Sequence, residues 1–109
     1  MRLLIIAAAI ALSQSAAAAG NAEKGKAAYA KNGCWQCHGD VGQGGAAGKA
    51  LAPKPMPFEA FSVFVRHSNG PMPPYQKAIL SDADLADIHA YLQAIPPAKD
   101  YKSIPLLSQ

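Results

Sequence analysis

The stretch Cys34-Trp35-Gln36-Cys37-His38 carries the most specific pattern in the chain. Its two cysteines are the only ones among the 109 residues, and they lie three positions apart. A disulfide between them would close a very small loop and would constrain little of the unfolded chain. The spacing C-x-x-C-H is instead the attachment signal for haem of the c type.

The chemistry of haem attachment explains why these residue types occur at this spacing. Two nearby thiols can each form a thioether with one vinyl group of a haem, and the following imidazole can then bind the iron. The stretch therefore predicts one covalent haem c with its iron, tethered by Cys34 and Cys37 and ligated by His38.

Three other functions of the cysteine pair are weaker alternatives. A thioredoxin-like redox pair needs a strand before the motif, and the sequence predicts none before Cys34. A structural zinc site needs four ligands, and the remaining histidines, His67 and His89, are badly spaced for one. A plain disulfide is the third alternative.

The N-terminus has the layout of a secretory signal peptide. Arg2 precedes the apolar run of residues 3–12, and Ala17-Ala18-Ala19 offers a small-residue cleavage site. The run is shorter than the ~18 apolar residues that a membrane span needs. We expect cleavage after Ala19, export to the periplasm, and no stable membrane span afterwards.

The composition limits the size of the domain and the range of partners. The net charge is +3, and it becomes +2 once Arg2 leaves with the signal peptide. No basic run or aromatic interleaving accompanies this charge, so nucleic acid is not an expected partner. The remaining chain of about 90 residues has a marginal core, which a bulky cofactor would help to stabilise.

The pattern after residue 19 predicts an all-α fold of three helices joined by Gly- and Pro-rich loops. The helices are expected at about residues 22–31, 58–67 and 81–95. In the third, Ser81 is the predicted N-cap with Asp84 three residues later. Its apolar stripe consists of Leu85, Ile88, Tyr91, Leu92 and Ile95.

A second iron ligand would separate an electron carrier from an open haem site. Met72 is the preferred candidate because prolines flank it in Gly70-Pro71-Met72-Pro73-Pro74-Tyr75 and stiffen its loop. Met56, His67 and His89 are the alternatives. Methionine ligation gives a six-coordinate iron and raises its reduction potential, as an electron carrier requires.

Together these features resemble the class I cytochromes c, in particular short bacterial ones with a single haem. The resemblance covers about residues 21–95, and it implies the cytochrome c fold wrapped around the haem. In that family the first and last helices cross closely at a small residue. The resemblance therefore implies that Gly25 and Tyr29 lie against Ile88 or Tyr91.

The resulting expectation is a periplasmic protein that carries one electron and is not itself an enzyme. Its partners would be a dehydrogenase as donor and an oxidase or reductase as acceptor. Alternatives are a cytochrome subunit of a periplasmic dehydrogenase and a five-coordinate haem enzyme or gas sensor. Aromatic side chains expected to shield the haem are Trp35, Tyr29, Phe61, Phe64 and Tyr75.

The division into parts is a signal peptide (residues 1–19), a cytochrome c domain (residues 20–96) and a C-terminal tail (residues 97–109). The tail is apolar for a free end, so it is expected either to pack on the body or to dock a partner subunit. Basic residues expected to surround the haem edge and attract acidic partners are Lys49, Lys54, Arg66 and Lys77.

Overall fold

The computed structural model describes residues 20–109, and the predicted signal peptide lies outside the described residues. Four α-helices follow one another: α1 (Ala22–Lys31), α2 (Trp35–His38), α3 (Phe58–His67) and α4 (Asp82–Ala94). A short 3-10 helix (Tyr101–Ser103) lies in the tail. Residues 20–109 contain no strand, which confirms the predicted all-α class. Three helices lie where the sequence predicted them, whereas α2 is an additional helix of one turn.

Helices α1 and α4 form the main packing interface. A Cβ atom at Gly25 would overlap the carbonyl of Asp87 and would lie 2.8 Å from Cβ of Tyr91. The rings of Tyr29 and Tyr91 pack with centroids 5.5 Å apart. The close crossing at Gly25 that the resemblance implied is therefore present.

Side chains fix the first turns of both crossing helices. The Asn21 side chain accepts a hydrogen bond from the Lys24 amide, and the predicted N-cap Ser81 accepts one from the Asp84 amide. The Asn21 amide also donates to the Asp87 carboxylate at 2.7 Å. This last bond ties the start of α1 to the middle of α4.

The core is built mainly by α4 with help from α1 and α3. Leu92 is fully buried, and Leu85 and Leu80 are almost so. Its buried apolar members are Ala28, Tyr29, Phe61, Val65, Leu80, Leu85, Ile88, Tyr91 and Leu92. The stripe predicted on α4 therefore faces inward, with Ile95 only partly buried.

The tail after residue 96 lies largely outside this core. Tyr101, Leu106 and Leu107 are all more than half exposed, and Ile104 is half-buried. The tail therefore does not pack tightly on the body, which was one of the two roles expected for it. Within residues 20–109, no helix has both the length and the apolar content to cross a membrane.

Candidate haem-binding site

Cys34 is the N-cap residue of helix α2 and Cys37 lies within this helix, which follows α1 after a tight turn. The His38 amide donates to the Cys34 carbonyl at 3.0 Å, so the motif makes one helical turn. Residues three apart lie on the same face of such a turn. No disulfide joins the two cysteines, and both line one cavity.

The two thiols are not equivalent. Cys34 is half-buried against the core, and burial raises the pKa of its thiol to about 11. Cys37 is exposed. Cys34 thus lies on the inner side of the cavity and Cys37 on the outer side.

The imidazole of His38 is oriented by a backbone carbonyl. Its Nδ1 lies 2.7 Å from the Lys49 carbonyl oxygen, which can only accept, so Nδ1–H is the donor. The lone pair of Nε2 is left to bind a metal, as in metal sites where the second ring nitrogen is held by a carbonyl. Gly48 permits this approach, because a Cβ there would lie 3.0 Å from Nδ1.

The cavity beside the motif has a volume of about 460 Å³. This lies within the range of roughly 300–1,000 Å³ that is common for cofactor sites. Apart from the motif and its flanking loops, the main lining side chains are Tyr29, Leu51, Met56, Phe61, Phe64, Val65, Met72, Tyr75 and Ile88. A largely apolar wall with two thiols and one imidazole fits a covalently attached haem.

Four of the five aromatic residues expected to shield the haem line this cavity: Tyr29, Phe61, Phe64 and Tyr75. The expectation for Trp35 is wrong. Its side chain is 45% exposed and lines a separate shallow depression together with Lys26 and Asp40. The physical reason is helical geometry, because Cys34 and Cys37 are three residues apart and share a face, whereas Trp35 follows Cys34 directly and projects from another face.

The candidate second ligands divide into two groups. Met72 and Met56 both line the cavity with His38. His67 is exposed and is not part of the lining. His89 is buried, with Nε2 2.9 Å from the Met56 carbonyl. Like His67, His89 is not part of the cavity lining.

Aromatic rings on α3 account for the burial of His89. Its ring packs edge-on against Phe58 and Phe61, with centroids 5.4 and 5.2 Å away. The histidine thus helps to join α4 to α3 and to the loop that carries Met56.

Two tyrosines connect the crossed helices to the loop that follows the motif. The Tyr29 hydroxyl donates to the Gly39 carbonyl at 2.6 Å, and the Tyr91 hydroxyl donates to the Asp40 carbonyl at 3.1 Å. Burial is the main reason that the pKa of Tyr29 is raised to about 12. The sequence placed Tyr91 in the core, but it gave no sign of these long-range bonds.

The basic residues expected around the haem edge are placed differently from one another. Lys49 lines the cavity, with its ammonium 5.8 Å from the centroid of the Phe64 ring. The Arg66 side chain is only 11% exposed, so its expected role in attracting partners is wrong. Lys77 lies 3.1 Å from the Asp82 carboxylate.

An all-α fold, a C-x-x-C-H helix turn and an apolar cavity with an oriented imidazole define a c-type cytochrome of class I. Residues 20–92 match the family model described as cytochrome c oxidase, cbb3-type, subunit III, and the chain belongs to this family. No curated protein and no solved structure is significantly similar to the chain. Haem c with its iron is accordingly the covalent cofactor of this protein.

Proposed function

We propose that the chain is an exported electron carrier whose haem c is tethered by Cys34 and Cys37 and ligated by His38 and Met72. The observation that carries the proposal is the joint placement of the His38 imidazole and the Met72 side chain in the lining of one cavity. Haem with His and Met ligands supplies a one-electron Fe(III)/Fe(II) couple. The protein contributes the ligands and the largely apolar wall of the cavity.

Met72 is preferred over Met56 because its loop is anchored. The Ser68 hydroxyl, itself buried, donates to the Met72 carbonyl at 3.0 Å. Prolines at positions 71, 73 and 74 restrict the backbone on both sides. Met56 lies in a second proline-flanked segment, where its carbonyl faces the buried His89.

The absorption spectrum of the ferric protein tests the ligand assignment. The wild type is expected to be low-spin and to show the weak far-red band that sulfur ligation gives. Met72→Ala should lose this band, and Met56→Ala, the matched control, should keep it. A wild type with a high-spin spectrum that binds CO readily would contradict the carrier and favour a haem enzyme or gas sensor.

Export to the periplasm is part of the proposal, and it is supported by the signal-peptide pattern of residues 1–19. The partners would then be a dehydrogenase that supplies electrons and an oxidase or reductase that accepts them. Lys49 lines the cavity and Lys54 is exposed. These two cations would attract acidic partners to the cavity side of the protein.

A fixed cytochrome subunit is the second candidate. The exposed apolar side chains of the tail favour it, as does the family's description as an oxidase subunit. The two candidates differ in whether the native protein migrates alone or in a larger assembly under native electrophoresis.

A further inference from the structure

The Met72 loop, defined here as residues 68–80, has few backbone bonds of its own. Three of its residues are prolines and have no amide hydrogen to donate. The Tyr75 amide donates to the Val65 carbonyl at 2.9 Å, and the Leu80 amide donates to the Gln76 carbonyl. Apart from the Ser68 hydroxyl on the Met72 carbonyl, the position of Met72 therefore depends on side chains that reach the loop from outside.

Arg66, near the end of α3, is the side chain with the most bonds to this loop. Its Nη1 donates to the Tyr75 carbonyl at 3.0 Å and to the Leu80 carbonyl at 2.6 Å. Its Nη2 lies 2.8 Å from the Asp82 carboxylate at the start of α4. One cation thus joins α3, both ends of the 75–80 turn and α4.

The burial of Arg66 indicates a structural role. The Nε atom is fully buried and has no hydrogen-bond partner among residues 20–109. Burying a guanidinium with one unsatisfied donor is unfavourable, and the bonds of its two other nitrogens must offset that cost. Those bonds reach mainly to carbonyls of the Met72 loop.

Tyr75 transmits this restraint to both sides of the cavity. Its amide and carbonyl are held by Val65 and Arg66, and its hydroxyl donates to the Asn32 carbonyl at 2.8 Å. Asn32 is two residues before Cys34, whereas Met72 is three residues before Tyr75. Tyr75 therefore links the methionine side of the cavity to the thiol side, and Arg66 fixes Tyr75.

We propose that Arg66 is a positioning residue for Met72. By holding the Tyr75 and Leu80 carbonyls, it keeps the sulfur atom of Met72 on the haem iron. The inference rests on the proposed ligation by Met72. It assigns to Arg66 a restraint on ligand exchange, separate from its contribution to folding.

Imidazole binding to the ferric protein tests this role, because imidazole enters only when the methionine leaves the iron. Hydrogen bonds from a charged donor are stronger than neutral ones, so Arg66→Leu should bind imidazole roughly ten-fold more tightly than the wild type. Asp82→Asn is the matched control, because it removes the ion-pair charge and leaves both carbonyl bonds. Its imidazole affinity should stay within about two-fold of the wild type.

A second variant decides the matter if Arg66→Leu does not fold. Arg66→Lys keeps the charge but cannot reproduce the two-carbonyl fork, so it should bind imidazole more tightly than the wild type. Hydrogen exchange at the Tyr75 amide should become faster in this variant, whereas amides of α1 should be unaffected. Wild-type imidazole affinity in this variant would overturn the proposal, whatever the exchange rate of the Tyr75 amide.

The Met72→Ala spectrum separates this failure from a failure of the proposed function. If Met72→Ala keeps the far-red band, Met72 is not the ligand and both proposals fall. If the band is lost while folded Arg66 variants bind imidazole as the wild type does, only the role of Arg66 is wrong.

Discussion

The crossed pair α1–α4 and the loops around the cavity are held together in different ways. The helix pair is held by direct contact, with Gly25 against the Asp87 backbone and Leu92 fully buried. The loops after His38 and after α3 are held by hydrogen bonds, some within their own backbone and some from outside side chains to loop carbonyls, such as those of Tyr29 and Arg66.

This difference shows where stability and redox chemistry reside. The helix pair can bury its own apolar surface, because its two faces fit each other. The loops leave between them a cavity of about 460 Å³ that both cysteines and His38 line. Changes in the helix pair should therefore alter the free energy of unfolding, whereas changes in the loops should alter ligation first.

The largest effect is expected when haem attachment is prevented. Cys34→Ala/Cys37→Ala cannot form the thioethers, and the loops then lack the group on which they pack. Residues 20–109 build too small a core to compensate, so most of the helical signal in circular dichroism should be lost. A double variant that kept native helicity and melted cooperatively would show that the helix pair folds alone.

A glycine comparison tests the helix pair itself. Gly25→Ala would place a Cβ against the Asp87 carbonyl, and the resulting overpacking should cost about 1–3 kcal/mol in urea unfolding. Gly45→Ala is the control, because nothing lies within 4 Å of a Cβ built there. Equal stabilities for the two variants would mean that the helices can separate at little cost.

The smallest effect is expected from the bonds between the two regions. Tyr29→Phe removes the bond to the Gly39 carbonyl and should lower the free energy of unfolding by about 1 kcal/mol. Tyr91→Phe, which removes the longer bond to Asp40, should cost less. If neither variant changes stability, the loop after His38 is held by other contacts.

The burial of Tyr29 also predicts a dependence of stability on alkaline pH. Its pKa is raised from 10.0 to about 12 in the folded protein, so an unfolded tyrosine loses its proton first. Between these values the unfolded state binds fewer protons, and the stability of the wild type should fall as pH rises. Tyr29→Phe should show a shallower fall over the same range by urea unfolding at each pH.

Local patterns predicted most of the fold. The periodicity and capping signals placed α1, α3 and α4, and the Ser81 cap is present. Helix α2 was missed because a single turn is too short to show a period. The Gly25 crossing came from the resemblance, since nothing in the residue pattern indicates which helices touch.

The candidate site was predicted less completely. The motif and Met72 could be read locally, and the structure places them in one cavity. The positions of Arg66 and His89 could not be predicted from local sequence. Each side chain is buried by contacts with carbonyls or rings more than eight residues away. The sequence could not predict that the Lys49 carbonyl orients His38, because every residue has a backbone carbonyl.

That Lys49 carbonyl has a consequence for mutational robustness. Because the group that orients His38 belongs to the backbone, replacing the Lys49 side chain leaves the hydrogen bond in place. A single substitution can break this hydrogen bond only by displacing the backbone. Gly48 is the position where a new side chain would contact the imidazole too closely. Substitutions that change the charge at position 49 therefore leave the orientation of the His38 imidazole unchanged.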